Sequence, residues 1–272
     1  MSQELWHRVN YIVDQDYISN TYIYEYDLRA ANISVLRAFE KIDNDIYAKY
    51  LSMPKHLREY NIGMLIKEEK ELYNTSTIYD TIKKGIEEAK QQLFELNGLQ
   101  DSQIVRIASD AVYVSDSIGK VLPHTVVKIG KGLVEFKVNG PWNTMVKFPM
   151  NVIVFMGYTP DEDYNVSVKG IDDTVLNLHE PFLGFICKIL FYMEHYSKKD
   201  TLIVYKGFYD RYINKELPIE YYREFNSGSC FRLQNSDVGT RFLDDQYMSY
   251  VDISYNNYIL RTLYRIITTY MK

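Results

Sequence analysis

"IYEYDLRAANISVLRAF", residues 23–39, changes its period in the middle. Ile23, Tyr24 and Tyr26 belong to a β-branched and aromatic run that suits a half-buried strand over 21–26. Beyond it Leu28, Ala31, Val35, Ala38 and Ile42 recur at helical spacing, which predicts a helix from about Leu28 to Ile42. Asp27 stands at the junction. A carboxylate there has two uses. It can cap the helix by accepting a bond from a backbone N–H, or it can hold a metal ion at the end of a strand.

The segments that follow bear on that choice. "PKHLREYNIGMLIKEEKELY", residues 54–73, reads as a helix opened by Pro54. The clearest helix runs from about Thr77 to Leu96, where Ile78, Ile82, Ile86, Ala89, Leu93 and Leu96 form one apolar stripe. Thr77 with Asp80 makes a capping-box-like start, and Asn97-Gly98 supplies the stop. "IVRI" (104–107) and "AVYV" (111–114) then flank "ASD", which predicts a tight β-hairpin with Asp110 at or just past its turn. Aspartate is also a common turn residue, so Asp110 by itself has a purely structural reading.

From about residue 121 the grammar shifts to short strands. "VVKI", "LVEFKV", "TMVKF", "VIVFM" and "NVSVKGI" follow one another, with Asn139-Gly140 as a turn signal. An apolar helix opened by Pro181, a strand "LIVY" (202–205) and a last helix from about Tyr255 to Met271 complete the chain. The expectation is an α+β protein. Residues 1–120 read as strand, helices and hairpin, and residues 121–272 as a β-meander and helical subdomain, a β-rich C-terminal extension.

Composition narrows the function classes. The net charge is −5, from 31 Lys and Arg against 36 Asp and Glu, which argues against a protein whose main business is coating nucleic acid. A local basic channel is still within reach of those 31 cations. The 26 tyrosines suit core packing or a partner surface. Two cysteines, Cys187 and Cys230, make no disulfide framework, and with no secretory signal at the N-terminus they imply a cytoplasmic protein. The longest apolar run, "FLGFICKILFYM" (182–193), is short and contains Lys188, so no membrane span is expected. No phosphate-cradling glycine loop, zinc spacing or nucleophile elbow is present.

The order strand, Asp, helix, further helices, hairpin with Asp resembles the palm of DNA and RNA polymerases. "YDLRAANISVLRAF" is similar to polymerase motif A in its family A and family B forms, and Asp27 matches the metal-binding Asp of both. Asn32 falls where those families sense the sugar of the incoming nucleotide. "IVRIASDAVYVSD" is similar to motif C, and Asp110 matches its catalytic Asp. "REYNIGML" (58–65) resembles family A motif B, with Arg58 in place of the triphosphate-binding Lys. Lys169 with Gly170 resembles the Lys-Gly that touches the primer in some family B enzymes.

The chain departs from the pattern at Ala111, which follows Asp110 where the families have Glu or Ser, and at Ala108, where family B has a further Asp. What the resemblance implies is a palm-like fold over about residues 20–118, an antiparallel sheet with helices on one face, and a nucleotidyltransferase of viral or mobile-element origin. Its catalytic and metal-binding residues would be Asp27 and Asp110. Asn32, Arg58 and Lys169 would contact substrate, Mg²⁺ would be the cofactor, and nucleic acid and nucleoside triphosphates the partners. Two aspartates suffice for such chemistry, because Mg²⁺ keeps several waters and takes one or two carboxylates plus substrate phosphates. The alternative is a non-catalytic palm-like subunit with protein partners in a replication or transcription assembly.

Overall fold

A computed structural model describes residues 5–158, 164–172, 176–225 and 255–272. The chain divides into two compact units. The first comprises Met1–Asp14 and Thr21–Pro141, the second Gln15–Asn20 and Trp142–Lys272. Strands 126–129 and 132–142, read from the sequence as the start of the C-terminal meander, belong to the sheet of the first unit.

That sheet has six strands in the order β1 (Asn10–Ile12), β4 (Ile104–Ala108), β5 (Ala111–Asp116), β3 (Tyr22–Leu28), β7 (Gly132–Trp142), β6 (Val126–Ile129). Between β3 and β4 the chain forms four helices, α1 (Ala31–Ala38), α2 (Asn44–Leu51), α3 (Lys55–Tyr73) and α4 (Thr77–Asn97). Alternation assigns the faces. Tyr24, Tyr26 and Leu28 of β3 share a core with Val112 and Val114 of β5, Val35 of α1 and Ala89 and Leu93 of α4. The helices thus cover one face, and Glu25 and Asp27 point to the other.

Helix α1 is buried on two sides. Val35 packs toward the sheet, while Ile33 and Leu36 meet Ile62 of α3 and Ile82 of α4. Burying a side chain of that size stabilises by about 1.5–3 kcal/mol. The α1–α4 approach requires Gly85, where an added Cβ would lie 2.2 Å from Val35 Cγ1. At the far end of α1 the β6–β7 turn lies against the helix. Gly130 has φ +51° there, and a Cβ on it would stand 2.9 Å from the Ala38 carbonyl.

The start of α4 is fixed from α3. Ser76, not Thr77, is the N-cap, accepting a bond from the Tyr79 N–H at 3.1 Å. Glu69 accepts from Ser76 Oγ at 2.7 Å and from the Ile78 N–H at 3.0 Å. These bonds, the Ile78 amide first, hold its carboxyl below the usual range, as expected of an anion at a helix N-terminus.

The second unit has a four-stranded antiparallel sheet, β10 (Tyr164–Lys169), β9 (Ile153–Tyr158), β8 (Thr144–Lys147), β2 (Tyr17–Ile18). Helices α5 (Glu180–His195), α6 (Lys198–Ile213) and α7 (Tyr255–Tyr270) complete it. Val154 and Met156 pack with Phe182, Ile186 and Leu190 of α5 and with Ile259, Leu263 and Ile267 of α7.

The β-rich C-terminal extension is corrected here: beyond β10 the described residues are helical. "LIVY" lies inside α6, whose buried residues Thr201, Tyr205 and Tyr212 recur at helical spacing behind the Ser197 N-cap. A short β-branched run does not discriminate strand from helix, and the cap and the four-residue spacing prevail. Cys187 packs beside this core, its thiol pushed up to about 11 by burial. Cys230 lies outside the described residues.

Candidate functional site

Strand β3 pairs antiparallel with β5 in a register that sets Asp27 opposite Ala111. The β4–β5 hairpin closes through a two-residue turn, Ser109 and Asp110, flanked by the Ala108–Ala111 pair. Ser109 takes φ 54°, a conformation uncommon outside glycine and enriched at functional sites. It is held from both sides. The Ser109 N–H donates to the Val9 carbonyl at 2.7 Å, and the Leu28 N–H donates to the Asp110 carbonyl at 3.2 Å.

Asp27 and Asp110 therefore stand at the same end of two hydrogen-bonded strands. Opposed Cα atoms of an antiparallel pair lie about 4.5–5.5 Å apart and consecutive ones about 3.8 Å, so the two aspartate Cα atoms are separated by roughly 9 Å at most.

Their surroundings differ. Burial raises the Asp110 carboxyl above its ordinary value, opposed by its own backbone amide and by the positive charges of Lys55 and Lys90, while Glu59 adds to the rise. These neighbours come from α3 and α4. Asp27 is partly buried on the opposite strand face and acts electrostatically on Tyr113.

Beside Asp27 on that face lies a network absent from the sequence reading. The Tyr113 hydroxyl donates to Glu25, the Asn139 amide donates to the second Glu25 oxygen at 3.1 Å, and the Arg106 guanidinium sits 5.3 Å from the Tyr113 ring centre. Burial, and then Glu25, push the Tyr113 phenol far up. The legible signal was a glutamate between two tyrosines in a strand.

Asn32, at the start of α1, donates to Glu59 of α3 at 2.5 Å. Arg58 is one residue away, its Nε 3.6 Å from Glu59 Oε1 and with no hydrogen-bond acceptor among the described residues. Asn32 and Arg58 thus meet at Glu59, which acts electrostatically on Asp110 from the helix side, whereas Asp27 lies on the other face of the sheet beside Tyr113. Lys169 belongs to the second unit, on β10 opposite Ile153.

Carboxylate oxygens are the donors a hard cation takes, and Asp27 and Asp110 stand on neighbouring strands, with Asp110 the more desolvated. Among the described residues no group of three or more His, Cys, Asp or Glu side chains could hold a metal. A metal at this site would rest on the two aspartates and on water or substrate oxygens.

These features define an α+β protein in which a strand and a hairpin, separated by four helices, carry one aspartate near the strand's end and one in the hairpin turn. The chain belongs to the bacteriophage PBS1 gene 130 protein family, which it matches over residues 1–269, and so to a viral family. No curated protein matches it. Among the described residues no helix is long and apolar enough to cross a membrane.

Proposed function

We propose that the strand end bearing Asp27 and Asp110 is a metal-dependent nucleotidyl-transfer site serving phage nucleic-acid synthesis. One observation carries the reading: the β3–β5 register sets Asp27 opposite the residue that follows Asp110. Two aspartates distant in sequence thus lie on neighbouring strands, an arrangement that supports the polymerase resemblance. Mg²⁺ held by Asp27 and Asp110 would stabilise charge on the attacking and leaving oxygens during transfer. Arg58 supplies a planar cation for a triphosphate, and Lys55 lies in the electrostatic range of Asp110. Asn32, hydrogen-bonded to Glu59, would meet the sugar. Lys169 enters no step of this reading.

The test is incorporation of labelled nucleotides on primed DNA and RNA templates with Mg²⁺. Asp27→Asn and Asp110→Asn should each lower the rate by more than about a hundredfold, the scale on which a single charge-stabilising group acts. Either variant incorporating at the wild-type rate while folded would sink the assignment.

A second reading is a non-catalytic palm-like subunit in a replication or transcription assembly. The burial of Asp110 against Lys55 and Lys90 favours it, because lysines already compensate part of the charge a metal would meet. It predicts no incorporation by folded wild-type protein. It also predicts association with phage protein partners that withstands high salt, where phosphate contacts would be lost.

A further inference from the structure

On the helix side of the first unit, a cavity of about 300 Å³ opens between α3, α4 and the β4–β5 turn. Its walls include Ile66, Ile82 and Ile86, with Tyr79 at one side and Ser109 at the turn. Lys90 also lines it, although its side chain belongs to a residue only 1% exposed. A lysine on the apolar stripe of α4, four residues after Ile86 and three before Leu93, is out of place for a solvated charge.

The hydrogen bonding of Lys90 is incomplete. Its Nζ donates to the Arg8 carbonyl at 2.7 Å. An ammonium has three donors; Glu87 and Asp110 act on Lys90 electrostatically, but among the described residues neither forms an ion pair with it and its other two donors meet no acceptor. A buried cation with unspent donors is unfavourable unless something supplies the acceptors. Those donors belong to a side chain that lines an apolar-walled cavity, the usual make-up of a small-molecule site. Lys83 adds a second cation and Glu87 an anion, so the lining carries one net positive charge.

We infer that this cavity binds a small organic phosphate monoester of nucleoside-monophosphate size, with Lys90 and Lys83 taking the phosphate and the isoleucines and Tyr79 the apolar body. The volume lies at the lower end of ligand pockets, which suits one nucleoside and excludes larger cofactors. The cavity shares Asn32 with the proposed nucleotidyl-transfer site and borders Asp110 through Ser109, but phosphate binding in it needs no metal. Binding is therefore measured in EDTA, so that its failure and the failure of Mg²⁺-dependent incorporation are distinct results.

The experiment titrates the full chain with thymidine 5′-monophosphate by calorimetry, with thymidine and inorganic phosphate as the two fragments. Saturable binding at millimolar or lower ligand is expected, with either fragment weaker than the whole by about tenfold or more. Lys90→Met should weaken binding by at least about tenfold. Glu87→Gln, a change at a half-buried lining residue, should tighten it by about threefold or more through loss of the repelling charge. A folded wild type that shows no saturable heat overturns the inference, as does a folded Lys90→Met variant that binds equally well. Should Lys90→Met fail to fold, Glu87→Gln decides: unchanged or weaker binding overturns the proposal.

Discussion

At the scale of single residues, Asp110 separates a structural turn aspartate from a functional one. Its carboxyl is raised, by burial first, so the folded protein keeps that proton at a pH where the unfolded chain has lost it. Stability from this group therefore falls as pH rises from the ordinary value through the folded one, and at neutral pH the ionised carboxylate is a liability. Asp110→Asn should raise the melting temperature at pH 7, and the gain should vanish near pH 3, where the wild-type side chain is neutral as well. A lower melting temperature at pH 7 would mean that Lys55 and Lys90 more than offset the burial, as in a residue kept for structure. Tyr113 gives the opposite sign. Tyr113→Phe removes the hydroxyl that donates to buried Glu25, and should lose about 1–3 kcal/mol in chemical denaturation. Asp27 and Asp110 were legible because each breaks a period. Glu25, Lys55, Glu59 and Lys90 were not, because which charges meet depends on how α3 and α4 pack beside the hairpin turn, a non-local fact.

At the scale of elements, the sequence was most readable where caps and periodicity agree. Helix α4 spans Thr77–Asn97, against an expected Thr77–Leu96, because its stripe is continuous and Gly98 ends it with φ 60°. Helix α1 keeps its apolar period to Ile42 yet stops at Ala38, since Glu40 takes φ 55° and the chain turns into α2. Periodicity registers which residues face a core and not where the backbone leaves the helix. "LIVY" failed for a related reason: β-branched residues fit a helix whenever a cap and the packing favour it. Gly85 tests the α1–α4 contact that separates the two aspartate-bearing segments. In an exposed helix Gly→Ala would stabilise by about 1 kcal/mol. Here the new methyl would stand 2.2 Å from Val35, and overpacking costs about 1–3 kcal/mol, so the clash decides the sign. Gly85→Ala should lower the unfolding midpoint in urea, whereas the Gly85→Ala/Val35→Ala double variant should recover part of the loss specific to the clash. An increase in stability for the single change would contradict the close approach.

At the scale of the whole molecule, each unit has its own core, and one titratable group in each, Asp110 and His179, is shifted so that acid should act on it in opposite directions. The tyrosines explain part of this arrangement. Among the described residues eight are buried, and in the second unit Tyr205, Tyr212 and Tyr222 stack or bond within the helical layer. The abundance read as core or partner surface thus serves the core at those positions. Inside the same core lies His179, 1% exposed, edge-on to Phe225 at 5.5 Å. Burial first, and then Arg223, lower its pKa to about 4 from 6.5. The folded second unit therefore resists a proton that the unfolded chain accepts. Its contribution is complete above about pH 6.5 and is lost as pH falls toward 4, amounting to on the order of 3 kcal/mol. Asp110 works the other way, since the first unit gains as its raised carboxyl takes up a proton. Hydrogen exchange followed from pH 7 to pH 4.5, corrected for intrinsic rates, should show α5 and α7 losing protection while β3 and β5 do not. His179→Gln should flatten the acid slope of α5 and α7 whatever it does to their baseline stability. If the slope is the same with and without the imidazole, acid acts on the second unit through its carboxylates, and His179 is only a packed ring.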